Sequence, residues 1–394
     1  MKPITCPGFK AAGIHAGLKK NNEKDLGLIY SDIPANVAAV FTTNQVKAAP
    51  VQLDMERIKT GKCRAIVVNS KNANCCTGER GLQDALAMGR AVSVALKIEE
   101  GDVLVASTGV IGSLLPIEKI EAAAPDLVQS LSPQGFMDCA QAMMTTDTVP
   151  KLVHRQGELD GKTFNITGLA KGSGMIAPNM ATMLCFVCTD VQAEPGTLKT
   201  ALSTSVGTSL NRIVIDGDTS TNDTTILLAN GQSGLSLDDA LNIQSFQQVL
   251  NDVLITLARE LVRDAEGGTK VVTIDVKGAA SPEEARKVAE TIANSPLVKT
   301  AIFGEDANWG RVAAAAGRAG VPFEPERLDI FFDDVQMAAK GLSCGSQAES
   351  AATAVLKQPE YTITIDLNVG EGQASVLTCD FSIDYVKINA DYRS

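Results

Sequence analysis

At 394 residues, with 45% hydrophobic and 21% charged side chains, the chain has a globular composition and is long enough for two domains. A net charge of −11, with no basic cluster interleaved with aromatic residues, argues against nucleic acid or an anionic membrane as partner. No apolar run reaches the length of a membrane span, and the start has no apolar core like that of a secretory signal. Nine irregularly spaced cysteines suit a reducing cytoplasm better than a disulfide framework.

In chain order, residues 26–30 and 37–41 read as strands separated by a Ser31-Asp-Ile-Pro34 turn, and 63–68 as a strand that ends in the polar run Asn69-Ser-Lys-Asn-Ala-Asn74. Leu82, Ala85, Leu86, Met88, Ala91, Val92 and Val94 recur at helical spacing over 80–97. A strand at 103–106 breaks into Ser107-Thr-Gly-Val-Ile-Gly112, and helices follow over 117–129 and 134–144. The Ser107–Gly112 segment reads two ways. It is a plain strand-to-loop turn, or an oxyanion hole in which Gly109 lets a backbone N–H face a ligand and the Thr108 hydroxyl is a second donor. Thr145-Thr-Asp-Thr148 reads as a helix end with local side-chain hydrogen bonds.

The stretch from Lys171 to Asp190 joins three incompatible local habits. Gly172 and Gly174 permit positive φ or a close approach. Pro178 stops any helix and biases Ala177 toward extended geometry. From Thr182 the run Thr-Met-Leu-Cys-Phe-Val-Cys188 has the length of a buried strand. Thr182 at this junction is either an ordinary strand-start threonine or a nucleophile. A hydroxyl needs a base, and the chain has only two histidines, His15 and His154. An amino-terminal threonine needs neither, because its own α-amino group, with a reference pKa of about 8, takes the proton. Cutting the Ala181–Thr182 bond would expose it. Three imitations fail on context. Gly172-Ser-Gly-Met-Ile-Ala177 cannot be a dinucleotide fingerprint because Pro178 prevents the required helix. Cys185 and Cys188 on one strand point to opposite faces and cannot share a metal. Asp216-Gly-Asp-Thr-Ser-Thr-Asn-Asp223 lacks the glycine and glutamate of an EF-hand and reads as a polar turn.

Beyond that, 212–215 and 225–228 are strand-like, and Ser236-Leu-Asp-Asp239 resembles a helix start. A long helix over 245–265 carries Phe246, Val249, Leu250, Val253, Leu254, Leu257, Ala258, Leu261 and Val262 on one stripe and ends in Glu266-Gly-Gly268. A carboxylate in the last turn opposes the helix dipole, a weak hint of function. Ser281-Pro-Glu-Glu284 is a capping box that opens a helix to 293. A strand at 300–303, Asn308-Trp-Gly-Arg311, strands at 361–367 and 374–380 and a frayed tail complete the chain. The pattern changes near 275, which divides the chain into a catalytic domain, 1–275, and a smaller α+β domain, 276–394.

Lys171-Gly-Ser-Gly-Met-Ile-Ala-Pro-Asn-Met-Ala-Thr-Met-Leu184 resembles the self-cleavage signature of the ornithine acetyltransferase (glutamate N-acetyltransferase) family. Gly8-Phe-Lys-Ala-Ala-Gly-Ile-His-Ala-Gly17, Ser31-Asp-Ile-Pro-Ala-Asn36, Ala106-Ser-Thr-Gly-Val-Ile-Gly112, Thr145-Thr-Asp-Thr148, Asp216–Asp223 and Asn308-Trp-Gly-Arg311 resemble further blocks of the family in the same order. The resemblance implies an α/β/β/α sandwich with a smaller carboxy-terminal α+β domain, cleavage between Ala181 and Thr182, and Thr182 as nucleophile. It implies Thr108 and Gly109 as the oxyanion hole. It also implies a substrate-binding threonine at Thr148, with Thr146 the competing choice, and substrate contacts from Lys171, Thr182, Glu266, Asn389 and Ser394. The implied reaction moves an acetyl group from N2-acetylornithine to glutamate through acetyl-Thr182, with ping-pong kinetics, in arginine biosynthesis. No metal or cofactor is implied; acetyl-CoA is a donor in some members, and the implied assembly is α2β2. Two other classes stay open: an amidase or aminopeptidase-type hydrolase on the same self-cleaving scaffold, and a non-catalytic binding protein.

Overall fold

The computed structural model describes residues 4–177 and 183–391. The predicted cleavage bond, Thr182 and Ser394 lie outside the described residues. The strands in chain order are β1 (Phe9–Ile14), β2 (Leu26–Phe41), β3 (Lys62–Asn69), β4 (Val103–Ser107), β5 (Lys151–Leu159), β6 (Lys162–Lys171), β7 (Leu184–Thr189), β8 (Ile213–Val214), β9 (Thr224–Ala229), β10 (Val271–Ala279), β11 (Asp329–Phe332), β12 (Val335–Ala339), β13 (Leu342–Ser343), β14 (Glu360–Asp366) and β15 (Gly372–Cys379). The helices are α1 (Ala49–Arg57), α2 (Gly78–Leu96), α3 (Ile117–Gln129), α4 (Phe136–Met143), α5 (Pro195–Thr208), α6 (Ala240–Arg263), α7 (Pro282–Ala293), α8 (Pro296–Phe303), α9 (Trp309–Gly317), α10 (Ser346–Leu356) and α11 (Ile383–Ala390). The chain is mixed α/β, the class that the sequence predicts. It forms two compact units, one from residues 1–175, 179–211 and 218–261, the other from 176–178, 212–217 and 262–394.

The first unit is built on an eight-stranded sheet of order β4-β3-β2-β9-β7-β6-β5, with β1 also paired to β2. Its central strands β7 and β9 are buried at every position, which is why both read as unbroken apolar runs. The stripe on α6 is buried at Phe246, Leu250, Val253, Leu254, Leu257, Ala258, Leu261 and Val262. It lies close on the β5–β6 hairpin because Gly168 has no side chain there. A Cβ at Gly168 would stand 2.8 Å from the Val253 side chain and 3.0 Å from that of Leu257. That packing fixes β6, whose last residue is Lys171.

The second unit has a seven-stranded sheet of order β13-β12-β11-β14-β10-β15-β8. β10 is paired in parallel with β14 and antiparallel with β15, so the two closing strands do not form a hairpin with each other. The Ser281 hydroxyl accepts the Glu284 N–H at 3.2 Å and caps α7 as its capping-box sequence predicts.

The structure corrects several expected boundaries. Residues 26–41 form one strand rather than two. Asp32, Ile33 and Pro34 are exposed in mid-strand at a shift in the β2–β3 register, where Pro34 needs no N–H partner. Residues 300–303 are the end of α8, not a strand. Four apolar residues are too short to show a period, whereas Val298, Ala301 and Ile302 are buried at helical spacing. α6 begins at Ala240, where the Asp239 carboxylate accepts the N–H groups of Leu241 and Asn242 at 2.9 Å each. It ends at Arg263, so Glu266 lies in the turn beyond the helix rather than in its last turn. Of 212–215, only Ile213–Val214 is strand, and it belongs to the second sheet. The tail beyond residue 382 is helical as far as Ala390. As a check on the cap, Ser281→Ala is expected to lower unfolding free energy by about 1 kcal/mol in a denaturant titration, with an unchanged m-value.

Candidate active site

The loop that follows β6 leads back into β7, and the ladder places Lys171 opposite Leu184. On the other side of β7, Leu184 is level with Thr224, whose N–H donates to the Met183 carbonyl at 3.0 Å. The chain therefore enters the central strand at Leu184, next to the end of β6.

Lys171 is buried there, and its ammonium donates to the Thr145 hydroxyl at 2.8 Å and the Thr108 hydroxyl at 3.3 Å. Its third neighbour is the Asp147 carboxylate, 3.8 Å away. Asp147 is enclosed: one oxygen accepts Lys151 Nζ at 2.8 Å and the Gly172 N–H at 2.7 Å, the other the Thr145 N–H at 3.0 Å. Burial alone would raise this carboxyl. The charges of Lys171 and Lys151, with the hydrogen bonds from Lys151 and Gly172, outweigh burial and hold it well below the usual carboxylate range. Gly172 has φ +149°, a backbone geometry that glycine supplies as the chain turns off the strand.

Thr108 and Gly109 stand where β4 breaks. The Thr108 N–H donates to the Asn69 carbonyl at 3.0 Å. The Ser107 hydroxyl donates to Asn69 Oδ1 at 2.6 Å, and the Asn72 amide donates to the carbonyls of Ser113 and Leu114 at 3.1 and 3.0 Å. Asn222 braces the loop from the Asp216–Asp223 turn, donating to the carbonyls of Ser107 at 2.8 Å and Ala73 at 2.6 Å. Gly109 has φ +133°, and a Cβ would stand 2.2 Å from the Lys71 carbonyl carbon, so no other residue fits. The polar run 69–74, with no task in the sequence beyond ending a strand, is the scaffold of this loop.

Asp147, Asn222 and Asp223 lie against this cluster, and the sequence does not single them out. Asp223 is buried, and neither carboxylate oxygen has a hydrogen-bond partner among the described residues. Burial pushes its carboxyl well above the usual range, opposed only in part by the nearby Met183 N–H and the Lys171 charge. The signal available was position: Asp147 lies inside the Thr145–Thr148 block, and the other two close the Asp216–Asp223 turn.

Of the two candidate threonines, Thr146 shares a 2.7 Å hydrogen bond with Ser173 of the loop, and Thr148 is exposed. The second unit brings Glu266 and Asn389 together: the Asn389 amide donates to the buried Glu266 carboxylate at 2.8 Å. Gly267, at φ +64°, makes this approach feasible, since a Cβ there would meet the Tyr385 N at 2.5 Å and the Ser382 hydroxyl at 2.8 Å. Both histidines are engaged elsewhere, His15 with the Glu23 carbonyl at 2.8 Å and His154 with the Thr167 hydroxyl at 3.0 Å. Cys185 and Cys188 are buried on β7, and burial pushes the Cys185 thiol up to about 12, which makes it unreactive. Among the described residues no three His, Cys, Asp or Glu side chains gather as a metal site, and no helix is long and apolar enough to cross a membrane.

Residues 10–394 match the model of the ArgJ family. The protein of Geobacter sulfurreducens named arginine biosynthesis bifunctional protein ArgJ is 51% identical, over 98% of this chain and 99% of its own length. That of Desulfotalea psychrophila, with the same name, is 50% identical over 98% of this chain and 99% of its own. The crystal structure of arginine biosynthesis bifunctional protein ArgJ from Bacillus halodurans is 45% identical, covering 44% of this chain and 91% of the solved one, with a TM-score of 0.43. With a family match over nearly its whole length and relatives of half-identical sequence spanning both chains end to end, the chain belongs to the ArgJ family.

Proposed function

We propose that the chain transfers an acetyl group from N2-acetylornithine to glutamate through an acetyl ester on Thr182. Acetyl transfer in arginine biosynthesis is the activity of its family, and the chain matches the family model over residues 10–394. The observation that carries the finer reading is the convergence of Lys171 and Thr108, 63 residues apart in sequence, beside the chain entering β7. In the proposed cycle the chain first cuts itself between Ala181 and Thr182. The freed α-amine takes the proton of the Thr182 hydroxyl, which attacks the acetyl carbonyl, and ornithine leaves with the proton. Thr108 and the Gly109 N–H hold the tetrahedral oxyanion. Glutamate then attacks the acetyl ester through its amine and leaves as N-acetylglutamate. Substrate contacts are assigned to Lys171, Glu266, Asn389, Ser394 and a threonine of the Thr145–Thr148 block. The relatives' name, bifunctional, supports acetyl-CoA as a second donor, and an α2β2 assembly in the cytoplasm completes the reading.

Three outcomes test it. The purified chain is expected to split into residues 1–181 and 182–394, seen by intact mass and by a new terminus reading Thr-Met-Leu-Cys-Phe, while Thr182→Ala stays uncut and inactive. An intact chain with full activity would sink the nucleophile assignment; release of acetate without glutamate would make the protein a hydrolase.

Thr108→Ala is expected to lower kcat by about a hundredfold, with a smaller change in KM, the usual result of losing one preorganised donor. A loss confined to KM would make Thr108 a binding residue.

Glu266→Gln and Asn389→Ala are expected to raise KM for the amino-acid substrates by about tenfold, as loss of a charge-assisted hydrogen bond does, while kcat changes less. Steady-state kinetics at unaltered KM would remove both residues from the site.

A further inference from the structure

The proposed cycle gives no task to Asp147, a fully buried carboxylate beside the oxyanion donor. We propose that Asp147 is a positioning residue that holds Lys171 against Thr108, so that the Thr108 hydroxyl proton is left for the oxyanion. This rests on the reading of Thr108 as an oxyanion donor.

The argument is one of donors and acceptors. An ammonium has three N–H groups and no lone pair, so every hydroxyl that it touches must accept. Lys171 therefore makes Thr108 Oγ1 an acceptor at 3.3 Å and Thr145 Oγ1 an acceptor at 2.8 Å. A threonine hydroxyl has one proton, and among the described residues nothing accepts that of Thr108. A hydroxyl held in this way keeps its proton turned away from Lys171 and free of any acceptor among the described residues, as a donor to an oxyanion requires. Lys171 is a long side chain, and its direction must be held by something. Asp147 does so on three sides: it attracts the ammonium from 3.8 Å, fixes the Thr145 backbone N–H at 3.0 Å and fixes the Gly172 N–H, next to Lys171 in the chain, at 2.7 Å. Lys151, at 2.8 Å, locks the carboxylate itself. An ionised carboxylate offers only acceptors, which suits three donors and the nearby Lys171 charge. Asparagine at 147 would turn an NH2 group toward one pair of these donors, and the orientation of Lys171 would be lost.

The experiment is a double-mutant cycle between Asp147→Asn and Thr108→Ala, with kcat and KM measured per cleaved chain, the cleaved fraction taken from intact mass. Asp147→Asn is expected to lower kcat by at least about tenfold and no more than Thr108→Ala does, since it acts through that donor. KM for N-acetylornithine is expected to rise as well, because Lys171 is assigned a substrate contact, so kcat at saturating substrate is the readout that decides. In the Thr108→Ala background the second substitution should cost about twofold or less, because the donor that it positions is already gone. Losses that multiply would overturn the proposal, as would a rise in KM at unchanged kcat, which would make the cluster a substrate-binding or purely structural feature. Asp147→Asn leaves the Lys151 ammonium without its carboxylate, so Asp147→Asn/Lys151→Met is run beside it and carries the cycle if the single variant does not fold. If neither folds, Asp147 is a structural element and the proposal falls. A wild-type kcat for Thr108→Ala alone would instead defeat the oxyanion reading on which the proposal rests.

Discussion

The Asp147 carboxylate is the contact on which the arrangement of Lys171, Thr145 and Gly172 depends. An unpaired buried charge is too costly to persist, and this one is kept by two lysines and two backbone N–H groups. The pairing has a geometric consequence beyond stability. It ties the segment after α4 to the last residue of β6 and to the glycine that follows, and so sets where the loop toward β7 departs. A charge held by three donors and a second ammonium has one good arrangement, whereas an apolar contact in the same place would tolerate many.

Close backbone approach does the remaining positioning. Gly109 lets the end of β4 lie against the backbone of Lys71 and Asn72, and Gly267 lets the turn after α6 lie against the start of α11. Both have positive φ, so a substitution meets a steric and a conformational cost together. In each unit a glycine stands next to a residue assigned to substrate chemistry, Thr108 in one and Glu266 in the other. The side chains assigned a role are thus carried on backbone that can adopt only one course.

Elements held by local pattern were legible from sequence. α2, α3, α4 and the Ser281 cap of α7 follow from the spacing of apolar residues and from one hydroxyl three residues before a glutamate. β7 and β9 are legible because both faces of a central strand are buried. The β5–β6 hairpin is not legible as apolar runs, because β5 mixes buried and exposed positions and the buried half of β6 is interrupted by Thr167 and Gly168. Its signal is Asp160-Gly161, with φ +51° and +72°, the turn chemistry of a tight hairpin. α8 is not legible, because the four residues 300–303 cannot distinguish a helical period from a buried strand. For the site, Lys171 and Asn389 rest on the family resemblance alone, whereas Thr108, Gly109 and Glu266 also carry a local signal, one that leaves a purely structural reading open.

By itself the sequence determined the family, the mixed α/β class and the identity of these residues, because long motifs and local periodicity need no partner to be read. Tertiary structure alone decided which of them meet. That Lys171 lies on Thr108 depends on β6 being fixed by α6 and on a loop braced by Asn72 and Asn222. That Asn389 reaches Glu266 depends on Gly267 admitting α11. Asp147 is the plainest case: in sequence it is one acidic residue of 46 Asp and Glu. Only burial beside two lysines, at distances that chain order does not encode, makes it an ionised carboxylate that holds Lys171.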